Sequence, residues 1–521
     1  MSSSISIGVV GSGAMGRGIA QLFAQSGHAV VLHDASASAL DAAMTQLADT
    51  FSKLADKGKL APEAARAATA RLRRAEGIGD FAGCAVVVEA IVERLEPKQQ
   101  LFRALEDVVG PDCVLATNTS SLSVTAIGSA CSTPARVAGL HFFNPVPLMR
   151  VVEVIGGART EPGVVEQLVE LVRGTGHVPV VAADMPGFIV NHAGRGFGTE
   201  ALKIVGESVA SFEEVDRIMR EQVRFDTPKG PAGFKLGPFE LMDLTGLDVS
   251  HPVMESIYRQ FYDEPRFRPS ALAAQRLAGG LVGRKAGRGF YTYDGAAAPS
   301  SAATAPAAAS AQAPAPSAPV ARVWVSRARP HAAHAVEALL ASSGAVIDTG
   351  DRPALDALIV ITPLGTDATH ASVAQGLDAR RTVAIDTLFP LAPAKRRVLM
   401  ATPATDPAIR DAAVALFGAD GCPVSVIADS CGFVAQRIVA MVVAIACEIA
   451  QQGIATPRDI DRAVTLGLGY PVGPLAMGDA LGAAEIHALL LNIQAVTGDP
   501  RYRPSLWLAR RAALGLSLTQ A

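Results

Sequence analysis

His141 stands twelve residues before Glu153, and the two fall in successive stretches that predict strands, RVAGLHFFN (136–144) and LMRVVEVI (148–155). Histidine titrates near neutrality and is the natural base for the proton of an alcohol. A carboxylate beside it holds one tautomer and stabilises the imidazolium as it forms. Ser120 closes CVLATNTS (113–120), another predicted strand, at the carboxyl end where open α/β sheets bind ligands. Asn191 lies at the start of a mostly helical stretch. Both side chains can hydrogen-bond substrate oxygens on which charge develops. Together the four residues suit the oxidation of a secondary alcohol, which also requires a hydride acceptor. Singly, each has a plainer explanation: a structural histidine in a sheet, a serine capping a helix, an unremarkable glutamate and asparagine.

The acceptor is suggested by Gly11, Gly13 and Gly16, a G-x-G-x-x-G that follows the β-branched run ISIGVV (5–10) and opens an apolar helical pattern from Gly16 to Gly27. In that context the first glycine permits the turn, the second lets a pyrophosphate approach the backbone, and the third lets helix pack on sheet. The helix N-terminus then faces the phosphates. Asp34 ends the next strand, AVVLHD (29–34), where a carboxylate accepts both ribose hydroxyls and repels a 2′-phosphate, favouring NAD over NADP.

These residues need a sheet to position them. CAVVVEAIVE (84–93) and HVPVVAAD (177–184) complete a series of strands that alternate with helices, and a helical segment with several Lys and Arg spans about 38–75. The alternation predicts a parallel doubly wound sheet over 1–184. A helical domain follows over 185–294, then an Ala/Pro/Ser linker over 295–320 that lacks the large apolar residues needed to offset ordering entropy. The pattern then begins again: a degenerate Rossmann-like domain over 321–427 and a second helical domain over 428–521. The fold class expected is an α/β Rossmann-like doubly wound sheet plus an all-α domain, duplicated with a degenerate second half. In the second half ALIVITP (357–363) is aligned with AVVVEAI, TVAIDTLF (382–389) with CVLATNTS, and RVLMATP (397–403) with RVAGLHF. Ser120 is read against Leu388, His141 against Thr402 and Asn191 against Gln436, and SRARPH replaces the glycine loop. The second half is therefore expected neither to bind NAD nor to catalyse, and to act as the other half of a pseudo-dimer within one chain. The runner-up role for 321–521 is to shape substrate choice or to bind a partner enzyme, and homo-oligomerisation is the alternative to the pseudo-dimer.

The motifs NTSSL (118–122), HFFNPV (141–146), VVEVI (151–155), DMPGFIVN (184–191) and GRKAGRGFY (283–291) resemble those of the 3-hydroxyacyl-CoA dehydrogenases, in order and spacing, over residues 5–294. The resemblance implies NAD-dependent oxidation of an acyl-CoA 3-hydroxyl and assigns His141, Glu153, Ser120 and Asn191 the roles given above. It adds Ala14, Met15, Glu93, Lys98, Asn144 and Lys285 as cofactor contacts, with Ser120 shared. Thr50 and Lys57, in TFSKLADKGKL, stand where CoA is held, with Lys53 or Lys59 as substitutes and Gly58 breaking the helix. The two-half layout resembles the form associated with phenylacetate catabolism and implies 3-hydroxyadipyl-CoA, with 3-hydroxybutyryl-CoA as the alternative. Rival readings are a hydroxyacid dehydrogenase of the 6-phosphogluconate type, with a lysine base, and an NAD-free binding module.

Composition bounds the rest. The chain has 521 residues and a net charge of −3, with a pI near 6.4, which gives no basic field for nucleic acid. Six cysteines form no CxxC pair, so no metal is expected, and they read as small hydrophobes in a reducing cytoplasm. The opening residues lack a basic region and an apolar core, which predicts no signal peptide. IVAMVVAIACEIA (438–450) is too short for a membrane span and is expected to be a buried helix.

Overall fold

The computed structural model describes residues 4–293 and 322–521; the expected linker lies outside the described residues. The first half builds an eight-stranded sheet from β1 (Ser6–Val10), β2 (Ala29–His33), β3 (Leu72–Arg74), β4 (Val86–Glu89), β5 (Val114–Thr117), β6 (Val137–Phe142), β7 (Val151–Gly156) and β8 (Val178–Ala183), in the order β3-β2-β1-β4-β5-β6-β7-β8. The central strands β4, β5 and β6 are fully buried and mostly Val, Leu and Ala, as expected of a sheet covered on both faces. One face packs against helices Ala14–Gln25, Ala37–Asp56 and Pro162–Gly174, around Phe23, Leu47 and Leu168. The other face packs against Leu95–Glu106, around Phe102 and Leu115.

Two expectations need correction. The sheet is not wholly parallel, because β6 and β7 run antiparallel. The 38–75 segment is not one helix: it is Ala37–Asp56, then Pro62–Ala70, then the short strand β3. Gly58, at φ +64°, takes the left-handed turn that ends the first helix. The strand LRR carries no β-branched residue and so gave no pattern to read.

The second half forms a six-stranded sheet from β9 (Val323–Val325), β10 (Ile347–Asp348), β11 (Leu358–Ile361), β12 (Thr382–Ile385), β13 (Arg397–Ala401) and β14 (Val424–Ile427), in the order β10-β9-β11-β12-β13-β14. Its single antiparallel pair is β12/β13. Matching that pair to β6/β7 makes β11, β12 and β13 the counterparts of β5, β6 and β7, so among the described residues no strand stands for β3 or β4. Hydrogen bonds agree. Ser123 and Asp367 each cap the helix that follows, and Asp184 and Asp429 each accept from the first two amides of that helix. The alignment of ALIVITP, TVAIDTLF and RVLMATP is thus displaced by one strand. Ser120 corresponds to Leu364 and His141 to Asp386, rather than to Leu388 and Thr402; Asn191 corresponds to Gln436 as expected.

The compact units cut across the domain boundaries expected from sequence. One unit is Met1–His192 with Gln452–Leu468; the other is Ala193–Gln451 with Gly469–Ala521. In the first unit the helix Pro457–Leu468, from the second half, packs on β7 and β8, and Ala183 N–H donates to Ile454 C=O at 2.8 Å. In the second unit the counterpart bond runs from Ala428 N–H to Val209 C=O at 2.9 Å, beside the helix Phe212–Glu221. There the Val434–Gln451 helix, longer than the apolar run read from sequence, lies buried along Arg195–Gly206. It is the one described helix long and apolar enough to cross a membrane, and 89% of it is buried. Gly196 permits the close approach: a Cβ there would lie 2.9 Å from Val442 N.

Candidate active site

The antiparallel register places His141 directly opposite Glu153. Residues so paired project to the same face, and His141 Nδ1 meets Glu153 Oε2 at 2.6 Å with both side chains buried. The other oxygen, Oε1, accepts from the backbone N–H groups of Ile189 and Val190, each at 2.9 Å. Glu153 therefore cannot swing without losing two buried donors. Phe143, with ring centroids 4.3 Å apart, and Phe188 flank the imidazole.

Ser120 lies just beyond β5, and Asn191 Nδ2 donates to its carbonyl at 3.3 Å. Asn191 directly follows the two amides that hold Glu153, so the chain from 189 to 191 joins the imidazole pair to the serine turn. Asn118 Oδ1 accepts from Phe142 N–H at 2.8 Å and ties the ends of β5 and β6. The capping role considered for Ser120 belongs to Ser123, whose side chain accepts from Ala126 N–H. The structure thus brings His141, Glu153, Ser120 and Asn191 into one connected region at the carboxyl ends of β5 and β6.

Glu93 and Lys98 sit beside it. Glu93 Oε1 accepts from Thr119 Oγ1 at 2.6 Å and from Ser120 N–H at 2.8 Å. Burial would raise its pKa, but Lys98 and these donors outweigh burial and hold it below the usual carboxylate range. Lys98 is buried between Glu89, at 2.6 Å, and Glu93, at 3.2 Å. Glu89, buried at the end of β4, also accepts from Thr117 Oγ1. Sequence reasoning missed Glu89, Thr117 and Thr119. The available signal was an acidic residue closing the apolar run VVVE, since carboxylates are seldom buried without a partner.

The dinucleotide loop lies at the point where the strand order reverses, between β1 and β4. Gly11 has φ +99°, and a Cβ there would lie 2.5 Å from Ala90 O; at Gly16 it would lie 1.7 Å from Gly11 O. A Cβ at Gly13 would meet nothing within 4 Å. No side chain caps the helix Ala14–Gln25, so first-turn N–H groups, including those of Ala14 and Met15, are left to an anionic ligand. These residues fit a pyrophosphate. Asp34 accepts from Ser12 N–H at 2.7 Å, Ser12 Oγ at 2.8 Å and Ser36 N–H at 2.9 Å. A carboxylate offers about four acceptor positions, so accepting both ribose hydroxyls requires the Ser12 hydroxyl to turn away.

The remaining sites are more dispersed. Asn144 is exposed just past β6. Thr50 Oγ1 donates to Gln46 C=O within its own helix, and Lys57 is exposed at that helix's C-terminus. Lys285 lies in the other compact unit, 2.6 Å from Asp248 Oδ2.

In the second half Asp386 occupies the histidine position, fully buried, and burial raises its pKa. Gln436 and Gln222 donate to its two oxygens, each at 2.9 Å. Where the glycine loop stood, Arg329 reaches across to Thr362 C=O and pairs with Glu485 at 3.0 Å.

Comparison with known proteins matches residues 6–185 to the 3-hydroxyacyl-CoA dehydrogenase NAD binding domain, and residues 187–293 and 432–518 to the 3-hydroxyacyl-CoA dehydrogenase C-terminal domain. The chain is 36% identical to a 3-hydroxyadipyl-CoA dehydrogenase of Escherichia coli K12, over 98% of this chain and 97% of that one. It is 40% identical to a probable 3-hydroxybutyryl-CoA dehydrogenase of Deinococcus radiodurans, over 55% of this chain and 99% of that one. A crystal structure of a 3-hydroxybutyryl-CoA dehydrogenase from Escherichia coli K12 superposes with a TM-score of 0.82 at 34% identity, covering 98% of this chain and 99% of its own.

Proposed function

Because this chain belongs to the 3-hydroxyacyl-CoA dehydrogenase family, and so is an NAD-dependent oxidoreductase, we propose that His141 is the base that takes the proton from the substrate's 3-hydroxyl. The observation that carries this is the 2.6 Å contact between His141 Nδ1 and Glu153. With Nδ1–H engaged by the carboxylate, the lone pair sits on Nε2, which receives the proton. Glu153, fixed by the amides of 189 and 190, orients the ring and offsets its positive charge. Ser120 and Asn191 hydrogen-bond the substrate oxygens. NAD, when bound, supplies the hydride acceptor. Gly11, Gly13, Gly16, Ala14 and Met15 cradle its pyrophosphate and Asp34 its ribose. Glu93, Lys98 and Asn144 are further cofactor contacts, and Thr50 and Lys57 contact CoA.

Within the family we assign 3-hydroxyadipyl-CoA as the substrate, in phenylacetate catabolism. The support is similarity through both halves to a relative of that name. NAD reduction measured with a panel of 3-hydroxyacyl-CoA thioesters tests it. The adipyl thioester is expected to exceed the butyryl thioester in kcat/KM by about tenfold, a difference of ~1.4 kcal/mol; the reverse order removes the assignment. The second half, with Asp386 for the histidine, no β4 and Arg329 across its nucleotide loop, serves as the structural partner in a one-chain pseudo-dimer.

A further inference from the structure

We propose that Gly467, in the second half, is a positioning residue for the catalytic pair in the first. The proposal rests on the assignment of His141 and Glu153 made above. The helix Pro457–Leu468 packs on β7, the strand that bears Glu153. Near its end a Cβ built at Gly467 would stand 3.0 Å from Val190 Cγ2, 3.1 Å from Val190 Cγ1 and 3.4 Å from Val151 Cγ1. Val190 supplies one of the two amides that hold Glu153, and Val151 lies two residues before Glu153 on β7. Hydrogen at position 467 thus lets the second half seat against the side chains of Val190 and Val151, the two residues whose backbone flanks and holds Glu153.

The corresponding place in the first half shows what a side chain does there. Gln222 follows the helix Phe212–Glu221 as Gly467 closes Pro457–Leu468, in the aligned segments FEEVDRIMREQ and PRDIDRAVTLG. Gln222 reaches into the second sheet's counterpart site and binds Asp386, the residue in the histidine position, at 2.9 Å. One position therefore plugs the inactive site when it is glutamine and leaves the active one free when it is glycine. The second half contributes a contact on which turnover depends, beyond completing a fold.

The test uses the full chain with Gly467→Val, Gly467→Gln and Gly467→Ala. The first two are expected to lower kcat at least tenfold while the KM for NAD changes less than twofold. Amide exchange of the peptide bearing Ile189 and Val190 is expected to accelerate. Gly467→Ala, which intrudes by one methyl and keeps the test open if the larger variants fail to fold, is expected to lower kcat two- to fivefold. Adding Val190→Ala to Gly467→Ala is expected to restore kcat, because it removes the methyls that are struck. Unchanged kcat in the folded variants overturns the proposal, as does a fall in kcat with unchanged exchange at 189–190. His141→Gln in the same assay separates the two readings. If it retains turnover, the base assignment has failed; if it abolishes turnover while the Gly467 variants are normal, only this inference has.

Discussion

Nε2 of His141 is the nitrogen that the Glu153 contact leaves free, and removing it should cost what a general base supplies. His141→Gln is expected to lower kcat by about 10²–10⁴-fold, with NADH affinity, read by NADH fluorescence, within twofold. A loss of NADH binding instead would make the residue structural. Asp34 tests the cofactor end. Charge-assisted hydrogen bonds contribute about 1.5–3 kcal/mol, so Asp34→Ser should weaken NAD binding by roughly 10–100-fold and narrow the preference over NADP. Burial alone would raise the Asp34 pKa, but the bonds from Ser36 and Ser12 outweigh it and hold the carboxyl below its usual range. Its ionised form is therefore the one present at neutral pH. The Asp34-dependent part of NADH affinity should persist as the pH falls to about 5, since an ordinary aspartate titrates near 3.9; a loss of that part between pH 7 and 5 would contradict the sign. At this scale the sequence was informative where chemistry is tied to a turn or a register, as with Gly11, Asp34 and the His141–Glu153 pair. It did not show that Glu89 joins Lys98 and Glu93, because Glu89 and Lys98, nine residues apart, meet only once β4 and the Leu95–Glu106 helix have folded back on each other.

Elements explain a motif that carried the family resemblance and of which Lys285 alone was read as a cofactor contact. In GRKAGRGFY the amides of Phe290 and Tyr291 donate to Asp243, each at 2.9 Å, and Tyr293 Oη donates to it at 3.0 Å. A Cβ at Gly289 would lie 2.1 Å from Asp243 Oδ1, so glycine there serves this carboxylate. Asp243 thus pins the last described loop of the first half to the helix Pro238–Thr245. Asp243→Ala leaves three buried donors unmatched and should destabilise the chain by on the order of 3 kcal/mol, read as a lower midpoint in urea. A midpoint unchanged from the parent would show that the loop is held by other contacts. The misplaced strands of the second half belong to this scale too. ALIVITP and AVVVEAI are both apolar runs, and buried strands carry too little pattern to tell β4 from β5. Only the pairing direction of β12 and β13, together with the caps at Asp367 and Ser123, reveals that β4 has no counterpart.

For the whole molecule, the two halves are joined within the second compact unit by charges that neither half could satisfy alone. Arg437 Nε lies 2.7 Å from Glu200 Oε1, and its Nη1 lies 2.7 Å from Glu207 Oε2. Tyr502 Oη donates to Glu200 at 2.7 Å, and Arg501 stands 3.4 Å from the other Glu200 oxygen. Burial would lower the Arg437 pKa, but Glu200, Tyr502 and Glu207 overcome it and raise it, so the guanidinium remains charged. Glu200 comes from the first half and its cations from the second. A buried pair contributes little over apolar residues of like shape, yet breaking one side costs about 3–5 kcal/mol because the other charge is stranded. Arg437→Met in the full chain is therefore expected to lower the unfolding free energy by about that amount. Arg437→Met with Glu200→Met should recover part of it, since no buried carboxylate is then left without its main partner while Arg501 loses Glu200. The double-mutant cycle, measured by urea unfolding, carries the interpretation. Additive losses would mean that the halves are held by the apolar Val434–Gln451 seam alone and that the Arg437–Glu200 pair does not specify which surfaces meet.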